Sequence, residues 1–210
     1  MAFFLHKSFS LLRSIYPEMV WRIPSVEPTI YLTFDDGPIP EVTEFVLEQL
    51  KQYQAQATFF CIGDNIRKHP QIFQQIIDQG HSIGNHTYNH LKGWKTEDQA
   101  YYENVAQCQA LLPSTRLFRP PYGRIRKRQA AQLVKDHTLI MWDVLTGDYN
   151  PDLSPEQVFK GTVKACESGS IVVFHDSIKA WRNMSYALPK TLEYLRDKNY
   201  TLKALPMSLG

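Results

Sequence analysis

The order of strand-like and helix-like segments is the feature that most constrains the fold of this chain. From Thr29 onward, short apolar runs with strand character alternate with longer segments whose apolar residues repeat at helical spacing. The predicted strands are 29–34, 57–62, 81–84, 116–118, 139–142, 170–174 and 200–202. A repeated strand–helix order predicts an α/β fold with a parallel sheet and outer helices. The length of 210 residues suits a closed barrel smaller than an eightfold one.

Composition and charge narrow the class of protein. With 43% hydrophobic residues, the chain can bury the core of a single domain. A formal net charge of +2 is too close to neutral to indicate a nucleic-acid partner. Cys61, Cys108 and Cys166 are widely spaced and lie in apolar segments. They therefore predict small core residues, and neither a disulfide framework nor a cysteine zinc site.

Residues 1–28 are predicted to form an N-terminal helical extension packed on a single main domain of residues 29–210. The apolar residues of this extension lie close to helical spacing: Leu5, Phe9, Leu12 and Tyr16. Charged residues between them argue against a signal peptide and against a membrane span. A weak contact with a membrane surface is the alternative, so no obligatory membrane partner is expected. The compartment is predicted to be cytoplasmic or membrane-associated, and the sequence does not indicate an oligomeric state.

Polar residues gather just past the carboxyl ends of the predicted strands. Asp35 and Asp36 follow the first strand, and His86 and His90 follow the third. The same position after other strands holds Arg119, Tyr122, Asp148 and His175. Parallel barrels build their active sites at this end, so the set predicts an enzyme site. The structural alternatives are an exposed Asp-Gly turn for the two acids, a surface arginine before a proline turn for Arg119, and a satisfied structural side chain for His175.

One acid and two histidines form a candidate metal site. His86 and His90 are four residues apart, a spacing that brings two imidazoles to one side of a helical turn. A carboxylate from Asp35 or Asp36 completes three ligands. Such a set leaves coordination positions for water, as catalytic zinc sites do.

Five ordered motifs carry a family resemblance: TFDDG, HTYNH, RPPYG, WDVLTGDY and VFHD. In order and spacing they resemble the polysaccharide deacetylase (NodB-homology) family, carbohydrate esterase family four, over residues 29–205. The resemblance implies a distorted (β/α)7 barrel and metal-dependent removal of N- or O-acetyl groups from sugars. The chain departs from the family pattern in the fourth motif, which usually begins with Asp and ends in Asp-Trp. Here the motif has Leu145 and Asp148-Tyr149.

The resemblance also assigns the metal site and the base. Asp36, His86 and His90 are the expected ligands of zinc, with another divalent ion such as cobalt as the alternative. Asp35, next to a ligand, is then the expected general base that takes a proton from the attacking water.

The remaining strand-end residues have complementary expected roles. Arg119 is a rigidly placed cation suited to orienting Asp35 and keeping it ionised. His175 is the expected general acid, and Asp148 is the candidate to orient it and favour its protonated form.

Aromatic residues in the same loops are candidates for substrate binding. By family resemblance, the backbone N–H of Tyr122 meets the oxyanion. The rings of Tyr149 and Trp94 suit stacking on sugar faces.

The expected activity is therefore zinc-dependent deacetylation of an N-acetylglucosamine-type glycan, which is hydrolysis of a carbon–nitrogen bond other than a peptide bond. A related amidohydrolase acting on a small non-sugar amide is the first alternative. A non-catalytic metal- or glycan-binding domain is the second. It is disfavoured because a base, an acid and three ligands occur together.

Overall fold

The computed structural model describes residues 4–8 and 10–207, which form a parallel sheet surrounded by helices. The strands are β1 (Thr29–Asp35), β2 (Thr58–Cys61), β3 (Ser82–Asn85), β4 (Leu117–Phe118), β5 (Thr138–Leu139), β6 (Val144–Leu145), β7 (Ile171–His175) and β8 (Thr201–Lys203). The helices are α1 (Ser10–Ile15), α2 (Val42–Gln52), α3 (Gly63–Lys68), α4 (Pro70–Asp78), α5 (Asp98–Gln109), α6 (Lys127–Leu133), α7 (Pro155–Ala165) and α8 (Trp181–Asp197). None of these described helices is both long and apolar enough to cross a membrane.

The sheet has the order β5-β4-β3-β2-β1-β7-β6, and β8 pairs with the first residues of β1. All of these strand pairs are parallel. The sheet curls, so the architecture is the predicted distorted (β/α)7 barrel. Strand β1 lies at its centre, between β2 and β7, and carries the first pair of acids out of the core.

The two faces of β1 have different environments because side chains alternate along a strand. Ile30 and Phe34 are fully buried in the layer between the sheet and the helices, together with residues of α2 and α8. Thr33 and Asp35 therefore lie on the opposite face, inside the barrel. The interior below them is apolar and includes Phe60. Asp35 consequently stands at the carboxyl end of the interior, where the strands stop and a site can form.

The middle of the sheet agrees with the predicted strands, but the segment around residue 140 does not. The predicted strand 139–142 overlaps β5 only at Leu139. The next residue, Ile140, forms an isolated bridge with Val20. Strand β6 follows directly, in a stretch predicted to be a loop. Two-residue strands have no alternation to detect in the sequence, so this segment could not be divided correctly beforehand.

The N-terminal extension is helical only in α1, and elsewhere it pairs with the sheet. Lys7 bridges Val144 of β6, and Val20 bridges the residue that follows β5. These are the two end strands of the sheet order, so the extension covers edges that would otherwise expose unpaired backbone groups. Of its predicted helical face, Phe9 lies outside the described residues. The domain boundary at residue 28 stays a prediction.

A buried carboxylate fastens the extension to the barrel. Asp143, between β5 and β6, is fully buried and accepts hydrogen bonds from Lys7 (3.0 Å), Arg13 and Ser170 (2.5 Å). Lys7 also donates to a backbone carbonyl at the end of α7. A buried carboxylate is stable only when it is paired and hydrogen-bonded, so the position of Asp143 depends on the extension.

Replacing Asp143 with asparagine removes the charge that Lys7 and Arg13 face while keeping the size of the side chain. We expect the free energy of unfolding to fall by about 1–3 kcal/mol. The loss is smaller than for a fully buried pair because the two cations are 32% and 31% exposed. Urea unfolding followed by circular dichroism measures the change. The matched control is Asp197→Asn, which breaks a surface pair with Arg196. Equal, small changes in both variants would contradict the anchoring role.

Candidate active site

The carboxyl ends of β1, β3 and β7 meet at one pocket of ≈ 540 Å³. Asp35, Asp36, His86, His90 and His175 all line it. Asp35 and His175 are register partners on the adjacent strands β1 and β7, so their side chains leave the sheet on the same side. The structure therefore brings together five residues whose numbers span 140 positions of the chain.

Asp36 is held just beyond the end of β1 in a left-handed backbone conformation, with φ of 90°. The side-chain amide of Asn65 donates to its backbone carbonyl at 2.7 Å and fixes this turn. Its Oδ1 atom lies 3.2 Å from Nε2 of His90 and 3.8 Å from Nε2 of His86. That oxygen is buried, yet it has no hydrogen-bond partner among the described residues.

His86 and His90 lie in an irregular loop after β3, so the predicted helical turn is wrong although the two rings do converge. Thr87 and His90 have φ of 63° and 56°, which a helix does not allow. The side chain of Asn85 accepts a hydrogen bond from the backbone of Thr87, and Thr87 Oγ1 accepts one from Leu91. These local side-chain bonds replace the bonds of a helix.

The tautomer of His86 is fixed by the backbone of a neighbouring strand end. Its Nδ1 lies 2.7 Å from the carbonyl oxygen of Arg119, which can only accept, so Nδ1 carries the proton. Burial lowers the pKa of His86 to about 4, against smaller opposing effects of the nearby acids. The imidazole is therefore neutral at physiological pH and presents an Nε2 lone pair to the pocket.

Three donor atoms, one each from Asp36, His86 and His90, fit a divalent metal ion. They all lie within 4.8 Å of one another. Ligands placed about 2.0–2.2 Å from a tetrahedral zinc ion would be about 3.4 Å apart, close to the two separations from Asp36 Oδ1. Burial opposes ionisation of Asp36, but the nearby imidazoles of His90, His175 and His86 leave its pKa below the usual range. The unpartnered carboxylate oxygen and the free imidazole lone pair are the groups that such an ion would satisfy.

Arg119 binds Asp35 inside the barrel. It is fully buried, and its Nη1 donates to Asp35 Oδ1 at 2.7 Å and to Thr33 Oγ1 at 2.8 Å. The guanidinium also packs over the ring of Phe60, at 4.1 Å from the ring centre. The hydrogen bond from Arg119 fixes Oδ1 of Asp35. The other oxygen, Oδ2, lies 4.0 Å from His86 Nε2 and is directed toward the candidate metal ligands.

Asp148 holds both the backbone and the ring of His175. Its Oδ2 accepts from His175 N at 2.7 Å, and its Oδ1 accepts from Nδ1 at 2.8 Å. Burial opposes protonation of His175, but the charge and hydrogen bond of Asp148, with smaller effects from Asp36 and Asp35, raise its pKa to about 9. The protonated ring therefore keeps an Nε2–H available to the pocket at neutral pH.

The three aromatic candidates lie at different places. Tyr122 lines the pocket with φ of 60°, and its ring lies 4.6 Å from the ring of His90. Tyr149 also lines it and meets His175 edge-on at 5.0 Å. Trp94 is not among the lining residues, and its indole N–H donates to a backbone carbonyl. Sugar stacking by Tyr149 and Trp94, and oxyanion binding by the backbone N–H of Tyr122, stay predictions.

Asp176 is a buried acid for which the sequence predicts no role. Its Oδ1 accepts from Gly37 N at 3.0 Å, and its Oδ2 accepts from Thr43 Oγ1 at 2.6 Å. A Cβ atom on Gly37 would come within 1.9 Å of this carboxylate, so only glycine allows the contact. Burial raises the pKa of Asp176 to about 8. Its position after β7 was the available signal, since the same strand-end rule identified its neighbour His175.

Other lining residues received no predicted role. Trp142, Leu145 and Val173 lie within the motifs quoted above, whereas Lys92, Arg124, Ser177 and Lys179 lie outside them. Single lysines and arginines in loops follow no periodic pattern, so only the folded chain shows that they share one pocket.

The sequence from residue 22 to residue 142 matches the family model described as polysaccharide deacetylase. The chain belongs to the polysaccharide deacetylase family. This confirms the resemblance drawn from the five motifs and makes the protein a polysaccharide deacetylase, a hydrolase.

Relatives cover most of this polysaccharide deacetylase. A peptidoglycan-N-acetylglucosamine deacetylase of Bacillus cereus is 34% identical over 190 residues, which span 87% of this chain and 88% of the relative. A chitooligosaccharide deacetylase of Azorhizobium caulinodans is 36% identical over 163 residues, or 74% of this chain and 77% of the relative.

Solved structures agree with the fold. The Bc1960 peptidoglycan N-acetylglucosamine deacetylase, crystallised in complex with 4-naphthalen-1-yl-N-oxidanyl-benzamide, superposes with a TM-score of 0.87 at 28% identity. The superposition covers 94% of this chain and 96% of that chain. The peptidoglycan deacetylase PdaC from Bacillus subtilis gives a TM-score of 0.78 at 26% identity, covering 87% and 90%.

We expect the purified protein to hold one divalent ion per chain, and Asp36→Ala or His86→Ala to release it, because each removes one of three ligands. Elemental analysis after dialysis measures the occupancy. The matched control is His69→Ala, since His69 ends α3 outside the site. Full occupancy in His86→Ala would remove that residue from the ligand set.

Proposed function

We propose that this polysaccharide deacetylase is a zinc-dependent enzyme that removes N-acetyl groups from an N-acetylglucosamine-type glycan. One observation carries the proposal. A base candidate, Asp35, and an acid candidate, His175, are register partners that flank a three-donor site. Amide hydrolysis needs these groups together, because water must lose a proton and the leaving nitrogen must gain one.

Asp36, His86 and His90 would hold the ion. One carboxylate and two imidazoles suit zinc and leave coordination positions open to water and substrate. When bound there, zinc would supply Lewis-acid chemistry, which makes water easier to deprotonate and polarises the acetyl carbonyl.

Asp35 takes the proton from the attacking water. Its Oδ1 is committed to Arg119, so Oδ2 is the oxygen that accepts the proton. As the water oxygen bonds to the carbonyl carbon, negative charge develops on the carbonyl oxygen. By family resemblance, the backbone N–H of Tyr122 donates a hydrogen bond to that oxyanion.

His175 supplies the proton for the leaving group. Its Nδ1–H stays on Asp148, so Nε2–H is the donor to the amide nitrogen as the carbon–nitrogen bond breaks. The products are acetate and a free amine on the sugar. A pKa of about 9 keeps this ring protonated at neutral pH, as a general acid requires.

The substrate class rests on the relatives and on the pocket. The two relatives described above are named for peptidoglycan-N-acetylglucosamine and for chitooligosaccharide. Both names point to N-acetylated sugars. The pocket volume of ≈ 540 Å³ is in the usual range for a ligand site.

Acetate release from N-acetylglucosamine oligomers tests the proposal, with zinc present and after its removal by a chelator. We expect release only with the ion. Asp35→Asn should retain the ion but lose turnover by a factor of about 10²–10⁴, because the base is gone while the ligands remain. Hydrolysis of small non-sugar amides with no release from any glycan would reject the proposed substrate. Loss of the ion in Asp35→Asn would show that Asp35 is the metal ligand, and Asp36 would then be the candidate base.

The variant Asp148→Asn tests the role of His175 as the general acid. The raised pKa of His175 means that kcat/KM on an N-acetylated oligomer falls as pH rises through the pKa of about 9. Without the charge of Asp148, burial dominates and the pKa falls toward or below its ordinary value of 6.5. The alkaline limb of the pH profile should therefore move to lower pH.

Two comparisons sharpen that measurement. Asp152→Asn changes an exposed acid of the same loop and should leave the alkaline limb in place. An activated acetate ester needs little protonation of its leaving group, so kcat/KM on that substrate should fall less at high pH. An unchanged profile in Asp148→Asn on the amide would show that His175 is not the proton donor.

A further inference from the structure

Three cations surround the pocket, and each lies over an aromatic ring. Lys92 Nζ lies 4.4 Å from the ring centre of Tyr122, and Lys179 Nζ lies 5.4 Å from that of Tyr149. The guanidinium of Arg124 lies 5.1 Å from the ring of Trp94. Lys92, Arg124 and Lys179, here called the rim cations, come from three different loops and all line the pocket.

No carboxylate of the described residues forms an ion pair with a rim cation. The lining carboxylates of the pocket are Asp35 and Asp36. Asp35 is already paired with Arg119, and Asp36 faces the two imidazoles. The positive charge of the rim is therefore uncompensated within this part of the structure.

The aromatic rings give the rim cations defined positions. A cation over a ring face is attracted by the ring quadrupole, which restricts an otherwise flexible side chain. The ring faces of Tyr122, Tyr149 and Trp94 that the cations cover are at the same time less available for sugar stacking. Trp94, which does not line the pocket itself, thus contributes through Arg124.

We propose that the rim cations bind an anionic substituent, a carboxylate or phosphate, on the glycan that is deacetylated. This inference rests on the proposed function and makes it narrower: the preferred substrate is an acidic glycan. A neutral oligomer can fill the same pocket, but it leaves the rim cations without a counter-charge. The preference is electrostatic, so it should weaken at high ionic strength.

Binding to the zinc-loaded Asp35→Asn protein tests the inference without turnover, and zinc-loaded His175→Gln is a second inactive variant that keeps the carboxylate partner of Arg119. The four probes are an N-acetylglucosamine tetrasaccharide, a tetrasaccharide with lactyl carboxylates on alternate residues, the methyl ester of the latter, and a 6-phosphorylated N-acetylglucosamine tetrasaccharide. Isothermal titration at low and at physiological ionic strength gives each Kd. We expect the carboxylated or the phosphorylated probe to bind about tenfold more tightly than its uncharged counterpart, and the favoured arm identifies the anion.

Variants assign the effect to the rim. Lys92→Met, Arg124→Gln and Lys179→Met should each weaken binding of the anionic probe by about two- to fivefold and leave the uncharged probes unchanged. The matched control is Lys190→Met, because Lys190 also lies over an aromatic ring, Tyr186 at 4.9 Å, but outside the pocket. Lys179→Glu, at an exposed position, should enlarge the loss.

The outcomes separate this inference from the proposed function. Equal affinity for charged and uncharged probes, or equal effects of Lys179→Met and Lys190→Met, would overturn the anion preference even if acetate is released. Charge-dependent binding that the rim variants weaken, with no acetate released from any probe by the enzyme that retains Asp35, would support the anion site and reject deacetylation.

Discussion

The buried guanidinium of Arg119 is the interaction on which the arrangement of the site depends. It is fully enclosed inside the barrel and donates to four acceptors: Asp35, Thr33, and the backbone carbonyls of Ile140 and Met141. Because its donors form a rigid fork, these acceptors must hold fixed positions relative to one another. A buried cation without a carboxylate is very costly, so Asp35 is both the proposed base and the counter-ion that stabilises the barrel interior.

The backbone of Arg119 acts on the other half of the site. Its carbonyl oxygen accepts a hydrogen bond from Nδ1–H of His86 and so leaves the lone pair of Nε2 free. Side chain and main chain of one residue therefore orient the proposed base and a proposed metal ligand. Lysine would supply the charge at this position, but it lacks the planar fork that reaches four acceptors. The requirement for arginine follows from geometry as well as from charge.

The parts of the fold and of the candidate site that can be predicted from the sequence are those whose residues take part in a periodic pattern. The ends of the long strands β1 and β7 follow from alternation of apolar segments, which placed Asp35 and His175 correctly at one edge. For His90 the spacing predicts the correct neighbourhood but the wrong backbone conformation, because side-chain hydrogen bonds within its loop outweigh helical spacing. Two-residue strands such as β6, and single cations such as Lys179, have no local signature, since only long-range packing determines where they lie.

The N-terminal extension also affects the acid side of the site. Residues 4–8 pair with the open edge of β6 through backbone hydrogen bonds of 2.9 Å, and Phe4 lies where a Cβ atom on Gly147 would come within 2.7 Å of its ring. Asp148 is the next residue, and it holds both the backbone N–H and the imidazole of His175. The orientation of the proposed proton donor thus depends on a loop that begins at an edge strand. Covering that edge limits the movement of the loop, so the segment that covers the sheet edge also restrains the acid.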